Sequence, residues 1–259
     1  MASAVEGYES RIPSPQTALD LFHGEWTSTV PVDGISGTDA VLFADGRITW
    51  LIDEVGPLAG KRVLELGPLE AAHTTMLERA GAQVTAVEAN RRAYLRCLVV
   101  KELLDLRARF VLGDATGFLE AATERWDVIV ASGILYHMTE PLRLLRAITT
   151  HADAVLLWTH YHDAVSLVGD ARFGPPLRQE LDGFTCEVVP HGYGTAREVA
   201  SFCGGPEASS VWMRRGDLTG ALEHWGFGRF RIAFDHPDHP NGPAVAIIAQ
   251  RQIGMDDPR

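Results

Sequence analysis

Three carboxylates stand where a chain could use them for binding: Glu65 closes the apolar run VLEL, Glu88 closes VTAVE, and Asp114 follows VLG in VLGDAT. Each comes after a short apolar stretch and before a helical pattern. In an open parallel sheet that places each one at the carboxyl end of a strand, the edge where such sheets bind ligands. Glu88 lies about 20 residues beyond the glycine turn at Gly67, the position from which a carboxylate grips both hydroxyls of a ribose through charge-assisted hydrogen bonds.

The turn itself separates the possible cofactors. A dinucleotide needs G-x-G-x-x-G so that backbone amides can approach a pyrophosphate. This loop reads GPLEAAHT from Gly67, with a single glycine followed by Pro68 and Glu70. Proline has no amide to offer and a glutamate repels phosphate. A cofactor with ribose and adenine but no phosphate suits these residues, and S-adenosylmethionine is the common one.

VLELG at Val63 to Gly67, VEAN at Val87 to Asn90, GDAT at Gly113 to Thr116 and WDVIVASGILYHMTEPLRLL from Trp126 to Leu145 together resemble the class I S-adenosylmethionine-dependent methyltransferases. GILYHMTEPL is similar to the fourth-strand region of a subgroup that includes tRNA wobble-uridine carboxymethyl-transfer enzymes and several small-molecule methyltransferases. The resemblance runs from Lys61 to Trp158, with the last two strands recognisable near the C-terminus. It implies a doubly wound α/β fold with a mostly parallel seven-stranded sheet. It also implies that Glu65, Gly67 and His73 line the methionine end, that Glu88 holds the ribose, and that Asp114 and Ala115 hold the adenine. Ser132 joins the cofactor set at the end of the fourth strand, and S-adenosylhomocysteine is the expected product.

Methyl transfer to a hydroxyl also needs a proton acceptor, and a near-neutral histidine is the usual one. His137 follows the fourth strand in LYHM, and the family's matching position faces the methyl group. Two roles are open to it: base, or a packing and capping residue beneath the cofactor. After the fifth strand, WTHYHD alternates His160, Tyr161 and His162, so an extended backbone turns both imidazoles to one side with Asp163 near them. Two readings stay open here as well. The set holds a divalent metal such as Mg, or it lines an acceptor pocket without metal, with His160 as a second base. Tyr136, Tyr161, His162, and the His191 and Tyr193 of PHGYG are further candidate acceptor contacts. Weaker candidates are Glu25 and Trp26, folding over the cleft, and Ser209 with Trp212. His236 and His239 fall in HPDHPNG, where Pro and Asn-Gly already account for a turn.

Hydrophobic periodicity supplies the elements that position these groups. Strands are predicted near 62 to 66, 83 to 88, 108 to 112, 126 to 131 and 153 to 158, with helices at 73 to 80, 90 to 104, 116 to 122 and 140 to 150. That alternation signals parallel crossovers. An amphipathic helix at Ile48 to Val55 precedes the first strand, and Pro13 and Pro15 break any helix in residues 1 to 15. Roughly 55 residues rich in Gly, Pro and His separate Trp158 from a helix at Asp217 to Trp225, too many for a structureless loop in a compact domain. GRFRIAFD and AVAIIAQR close the chain as a hairpin. The expected organisation is an N-terminal helical extension over 1–57 and a methyltransferase domain over 58–259, carrying an inserted lid or acceptor element at 159–215.

Composition bounds the partners. The chain of 259 residues carries a net charge of −11, and its most basic spots are the pairs Arg91-Arg92 and Arg214-Arg215. Nucleic-acid binding rests on Lys and Arg neutralising phosphates, so a tRNA substrate is disfavoured against a small-molecule acceptor. No apolar run approaches the ~20 residues that span a bilayer, and the first residues lack the basic and apolar regions of a signal peptide. Cys97, Cys186 and Cys203 show no metal-like spacing, which favours reduced thiols and a cytoplasmic setting. The expected activity is O-methylation of a small polar acceptor such as a sugar, with a homodimer as an open assembly state. The alternatives are a tRNA-modifying methyltransferase, a catalytically silent cofactor-binding module and, more remotely, a nicotinamide dehydrogenase.

Overall fold

Four βα crossovers run through the first two-thirds of the chain in the computed structural model, which describes residues 7–33, 35, 42–199 and 202–251. Strands β1 (Arg62–Leu66), β2 (Gln83–Glu88), β3 (Arg109–Leu112), β4 (Trp126–Ser132) and β5 (Ala152–His160) pair in parallel. The C-terminal hairpin, β9 (Phe227–His236) and β10 (Ala244–Arg251), adds two antiparallel strands, giving the order β3-β2-β1-β4-β5-β10-β9. Strand order reverses at β1, whose neighbours are β2 on one side and β4 on the other. The crevice for a ligand therefore opens above the carboxyl ends of β1 and β4. This is the doubly wound, mostly parallel seven-stranded sheet expected from the sequence.

The sheet is buried on both faces. Leu64, Leu66 and Ile129 pack with Leu144, Leu145 and Leu222 on one side, and Val63, Val128 and Val130 pack with Ile48, Leu51 and Leu77 on the other. Each such fully buried aliphatic contributes about 2 kcal/mol, so the central strands hold the crevice floor rigid. The covering helices are α2 (Gly46–Val55), α3 (Ala72–Arg79), α4 (Arg91–Leu103), α5 (Ala115–Glu120), α6 (Pro141–His151) and α7 (Arg215–His224). Their starts are fixed by local chemistry. Asp45, Asn90 and Asp114 cap α2, α4 and α5 by accepting backbone amides, and Pro141 opens α6. No described helix is long and apolar enough to cross a membrane.

Ahead of these, α1 (Pro15–Leu19) corrects one expectation. Pro15 does not break a helix but starts one, because the first helical position has no amide to lose, and Ser14 with Thr17 forms a capping box around it. Residues 1–6 lie outside the described residues.

The stretch after β5 folds as a separate three-stranded antiparallel sheet, β6 (Leu177–Leu181), β7 (Phe184–Gly192) and β8 (Ser209–Met213). It is stitched to the crevice side of the main sheet by backbone bonds, His162 N–H to Met213 O at 2.8 Å and Val211 N–H to Met138 O at 2.9 Å. The second bond seats the insertion directly against the turn that carries His137.

Candidate functional site

A cavity of about 660 Å³ sits above the β1/β4 switch point. Among the described residues its wall includes Glu65, Gly67, His73, Glu88, Asp114, Ala115, Ser132, Tyr136 and His137, contributed by the ends of β1, β2 and β4, the turns after β1 to β4 and the first turns of α3 and α5.

The turn after β1 sets the chemistry of the floor. Gly67, Leu69 and Ala71 have φ of 72°, 55° and 63°, all in the left-handed region. Only Gly67 suits it; Leu69 and Ala71 stand where a glycine would relieve roughly 1 kcal/mol each. The turn is held in place by its own amides. Gly67 N–H donates to Val87 O at 2.9 Å, Glu70 and Ala71 N–H to Pro68 O at 2.6 and 2.9 Å, and Leu69 N–H to Glu88 Oε2 at 3.1 Å. With Pro68 lacking an amide, no N–H in this turn is left for a phosphate. Leu69→Gly is expected to raise stability by about 0.5–1 kcal/mol, the released strain less the entropy a glycine loses on folding. A urea midpoint unchanged or lowered would contradict that.

Glu88 is fixed from two sides, because Asn90 N–H donates to its Oε1 at 2.8 Å while Leu69 holds Oε2. The Ala89 amide faces the same carboxylate, which has about four acceptor sites and so keeps capacity for a ribose hydroxyl. Burial raises the Glu88 pKa, opposed by those amides. Glu65 is buried beneath the turn, accepts from the Thr74 hydroxyl, and is likewise raised by burial. His73 lies between it and Asp45, 4.0 Å from Glu65 Oε1 and 2.8 Å from Asp45 Oδ2. Asp114 Oδ2 accepts from Gly117 N–H at 2.5 Å as the α5 cap. Ser132 Oγ is buried with no partner, a polar atom waiting for one.

Two features were not legible in sequence. Arg47 lines the cavity from the first turn of α2; its Nε and Nη2 bind Asp45, and its guanidinium lies 4.5 Å from the Trp158 ring centre. Glu70, read as a phosphate-repelling residue, instead accepts the amides of Thr27 at 2.9 Å and Ser28 at 2.7 Å and so fastens the N-terminal segment to the turn. Glu25 pairs with Arg92, and Trp26 donates to Leu19 O and packs on Phe22, so Trp26 anchors that segment locally.

His137 follows β4 in a tight 3-10 turn, packs 4.1 Å from the Tyr136 ring, and reaches the Tyr193 hydroxyl with Nδ1 at 2.9 Å. Burial, with His160 and His191 nearby, pushes its pKa down to about 4, so it is neutral and able to accept a proton at physiological pH.

The remaining histidines form a layer behind this wall. His160 is 4 % exposed, bonds Gly242 O through Nδ1 at 2.8 Å and stacks on Trp212; it does not line the cavity, so a direct role as second base has no geometric support. His162 packs on Phe173, and His191 stacks on Trp212. Tyr161 turns the opposite way, into the main core with Val188 and Met213, and makes no acceptor wall. The strand alternation thus holds, but the inserted sheet covers the face it creates. Asp163 is occupied by Val165 N–H and Ser166. Among the described residues no three His, Cys, Asp or Glu side chains gather to hold a metal, which removes the geometric basis for a Mg site at His160 and His162. His239, from the hairpin turn, packs 5.0 Å from His160, and the Gly242 backbone approaches Trp212 too closely for any Cβ.

His191 has its pKa pushed down to about 4, first by burial and then by Arg172. An unfolded histidine takes its proton near pH 6.5, so this site contributes stability above that pH that is lost as pH falls toward 4. His191→Phe is expected to cut the loss of unfolding free energy between about pH 7.5 and about pH 5 by roughly 2 kcal/mol. Equal losses in variant and parent, by urea denaturation, would contradict this.

Residues 64–152 match the family described as a methyltransferase domain. The chain is 26% identical over 106 residues to the ubiquinone biosynthesis O-methyltransferase of Aeromonas salmonicida (strain A449), covering 40% of this chain and 44% of that protein. It is 32% identical over 112 residues to the enzyme of the same name from Ralstonia nicotianae (strain ATCC BAA-1114 / GMI1000), covering 40% and 43%. These matches span less than half the length of those relatives. Among solved structures, the N-terminal domain of EvdMO1 in the presence of SAH and D-fucose superposes with a TM-score of 0.68 at 24% identity, covering 92% of this chain and 94% of that one. Magnesium protoporphyrin IX methyltransferase from Synechocystis PCC 6803 with bound SAH gives 0.53 at 16%, covering 80% of each. These likenesses establish a shared fold.

Proposed function

We propose that this chain, a class I S-adenosylmethionine-dependent methyltransferase by its fold and its methyltransferase-domain segment, methylates a hydroxyl of a small polar acceptor, a sugar in the first instance. One observation carries the reading. A buried carboxylate, Glu88, and a neutral histidine, His137, line the same cavity of about 660 Å³.

The donor set fits this cofactor. Its ribose diol matches Glu88, its adenine falls to Asp114 and Ala115, and its amino-acid end falls to Glu65, Gly67, His73 and the partnerless Ser132 hydroxyl. Arg47, with Nη1 uncommitted among its described bonds, is the cation placed to meet a carboxylate. The loop with no free amide argues against a pyrophosphate and hence against a nicotinamide dinucleotide. When bound, S-adenosylmethionine supplies an electrophilic methyl group on a sulfonium. The chain's own part is to hold the acceptor hydroxyl in line, exclude water and take its proton. His137 does the last, and Tyr136, Trp158 and the segment Phe202 to Pro206 close the space around it. The sugar class draws support from the D-fucose named with the EvdMO1 structure, and from an aromatic wall suited to the apolar face of a sugar ring. O-methylation as such draws on the names of the curated relatives.

The test is a panel of sugars and other polar metabolites incubated with protein and S-adenosylmethionine, with S-adenosylhomocysteine release as the readout. Release dependent on a hydroxyl acceptor is expected. Turnover only with amines, thiols or tRNA would overturn the acceptor class.

A further inference from the structure

One fork of the Arg47 guanidinium is taken and the other is open. Nε lies 3.0 Å from both oxygens of Asp45, and Nη2 binds Oδ2. A guanidinium carries five N–H donors in a fixed plane. This pairing leaves both protons of Nη1 and one of Nη2, and the parallel pair along that edge matches a carboxylate. The rest of the group is held. Asp45 accepts the Arg47 amide at 2.9 Å as the cap of α2 and lies 2.8 Å from His73 Nε2. Burial raises the Asp45 pKa, but its bonds to His73 and Arg47 outweigh that and keep it well below the usual carboxylate range. Trp158 covers one face of the guanidinium, and the fully buried Ile48 and Leu51 lock α2 against the sheet. Arg47 lines the cavity, so its open fork belongs to whatever fills that space.

The other groups on that wall able to carry positive charge are engaged or neutral. His73 meets Asp45 through Nε2, His137 is neutral, and Arg197 stands on the inserted segment with Nη2 on Pro206 O at 2.9 Å. The amides of the turn after β1 are spent on Pro68, Val87 and Glu88. An unpaired carboxylate in a closed cavity is costly, and Arg47 is the cation free to meet one. We propose that Arg47 takes the methionine carboxylate of S-adenosylmethionine on its open fork, and that Asp45 is the positioning residue that aims it. This rests on the cofactor reading above and adds the source of its specificity for the amino-acid end. Arg47, Asp45 and Trp158 all lie outside residues 64–152, the segment that matches the methyltransferase domain. The core thus grips adenine and ribose. The first turn of α2, braced on the end of β5, distinguishes the whole cofactor from a nucleoside thioether that has lost its amino acid.

Calorimetric titration with two ligands tests this without turnover. S-adenosylhomocysteine carries the carboxylate; 5′-methylthioadenosine keeps adenine, ribose and thioether and lacks it. Wild type is expected to bind the first at least about tenfold more tightly. Equal affinities would overturn the proposal with no variant needed. Arg47→Met keeps an apolar stem against Trp158 and should raise the Kd for S-adenosylhomocysteine about 10- to 100-fold, the worth of one or two charge-assisted hydrogen bonds. The Kd for methylthioadenosine should stay within about twofold of wild type. Arg47→Lys keeps the charge without the fork and should fall between wild type and Arg47→Met. Asp45→Asn keeps a residue able to cap α2 but releases the guanidinium, and should lose part of the same preference with methylthioadenosine unaffected. An S-adenosylhomocysteine Kd unchanged in Arg47→Met would hand the carboxylate to the first-turn amides of α3, which have no side-chain cap, and would overturn the proposal with the cofactor reading intact. Equal weakening of both ligands would make Arg47 a structural support and overturn it as well. A full preference retained in Asp45→Asn would contradict the positioning role. Wild type binding neither ligand would overturn the cofactor reading, and this proposal with it.

Discussion

His137→Ala is expected to lower kcat by about 10²–10⁴, the usual contribution of a positioned general base, while S-adenosylmethionine affinity stays within about twofold of wild type. The expectation rests on His137 lining the cavity with Nδ1 committed to Tyr193 and with burial keeping the ring neutral down to about pH 4. Truncation also removes packing against Tyr136, so His137→Gln, which preserves more of the volume, should lose activity comparably while retaining the parent melting temperature. If either variant transferred methyl groups at the normal rate, His137 would be a packing residue and the proton would leave by another route. The free protein's kcat/KM should also show no titration near pH 6.5, since this histidine is already neutral well below that value.

The second large effect concerns the cofactor. Glu88→Ala removes two charge-assisted hydrogen bonds to a ribose diol, each worth about 1.5–3 kcal/mol, so the Kd for S-adenosylhomocysteine should rise about 10²–10⁴-fold. Part of that loss is indirect, because the Leu69 and Asn90 amides lose their acceptor and the turn after β1 loses one of its ties. Affinity in the parent should decline on acidification from above the ordinary carboxylate range, because burial raises the Glu88 pKa and the protonated acid cannot accept from both hydroxyls. Calorimetry showing less than a tenfold change in Glu88→Ala would remove Glu88 from the ribose.

The sheet was readable because its strands are short apolar runs flanked by helical periodicity, and their ends fix where Glu65, Glu88 and Asp114 stand. What escaped the sequence had non-local causes. Leu69 and Ala71 adopt left-handed backbone without being glycine, a conformation imposed by bonds to Pro68 and to a carboxylate 19 residues away. Glu70 speaks to residues more than 40 positions earlier. The strands of the inserted sheet, LRQEL, FTCEVVPHG and SSVWM, alternate too weakly to declare themselves, and the last is separated from its partner by a 16-residue connection from Tyr193 to Ala208. That sheet is what turned His160 and His162 from expected wall residues into a layer behind the wall. Arg47 was hidden because an amphipathic helix ahead of β1 reads as packing, and its first turn gives no sign of lying over a cavity.

Calorimetric titration with S-adenosylmethionine and S-adenosylhomocysteine, with NADH as the control, tests the central claim most directly. Saturable binding of the first two, abolished or severely weakened in Glu88→Ala, with no heat from NADH, is the predicted result. NADH binding with neither adenosyl compound bound would contradict the assignment of the cavity.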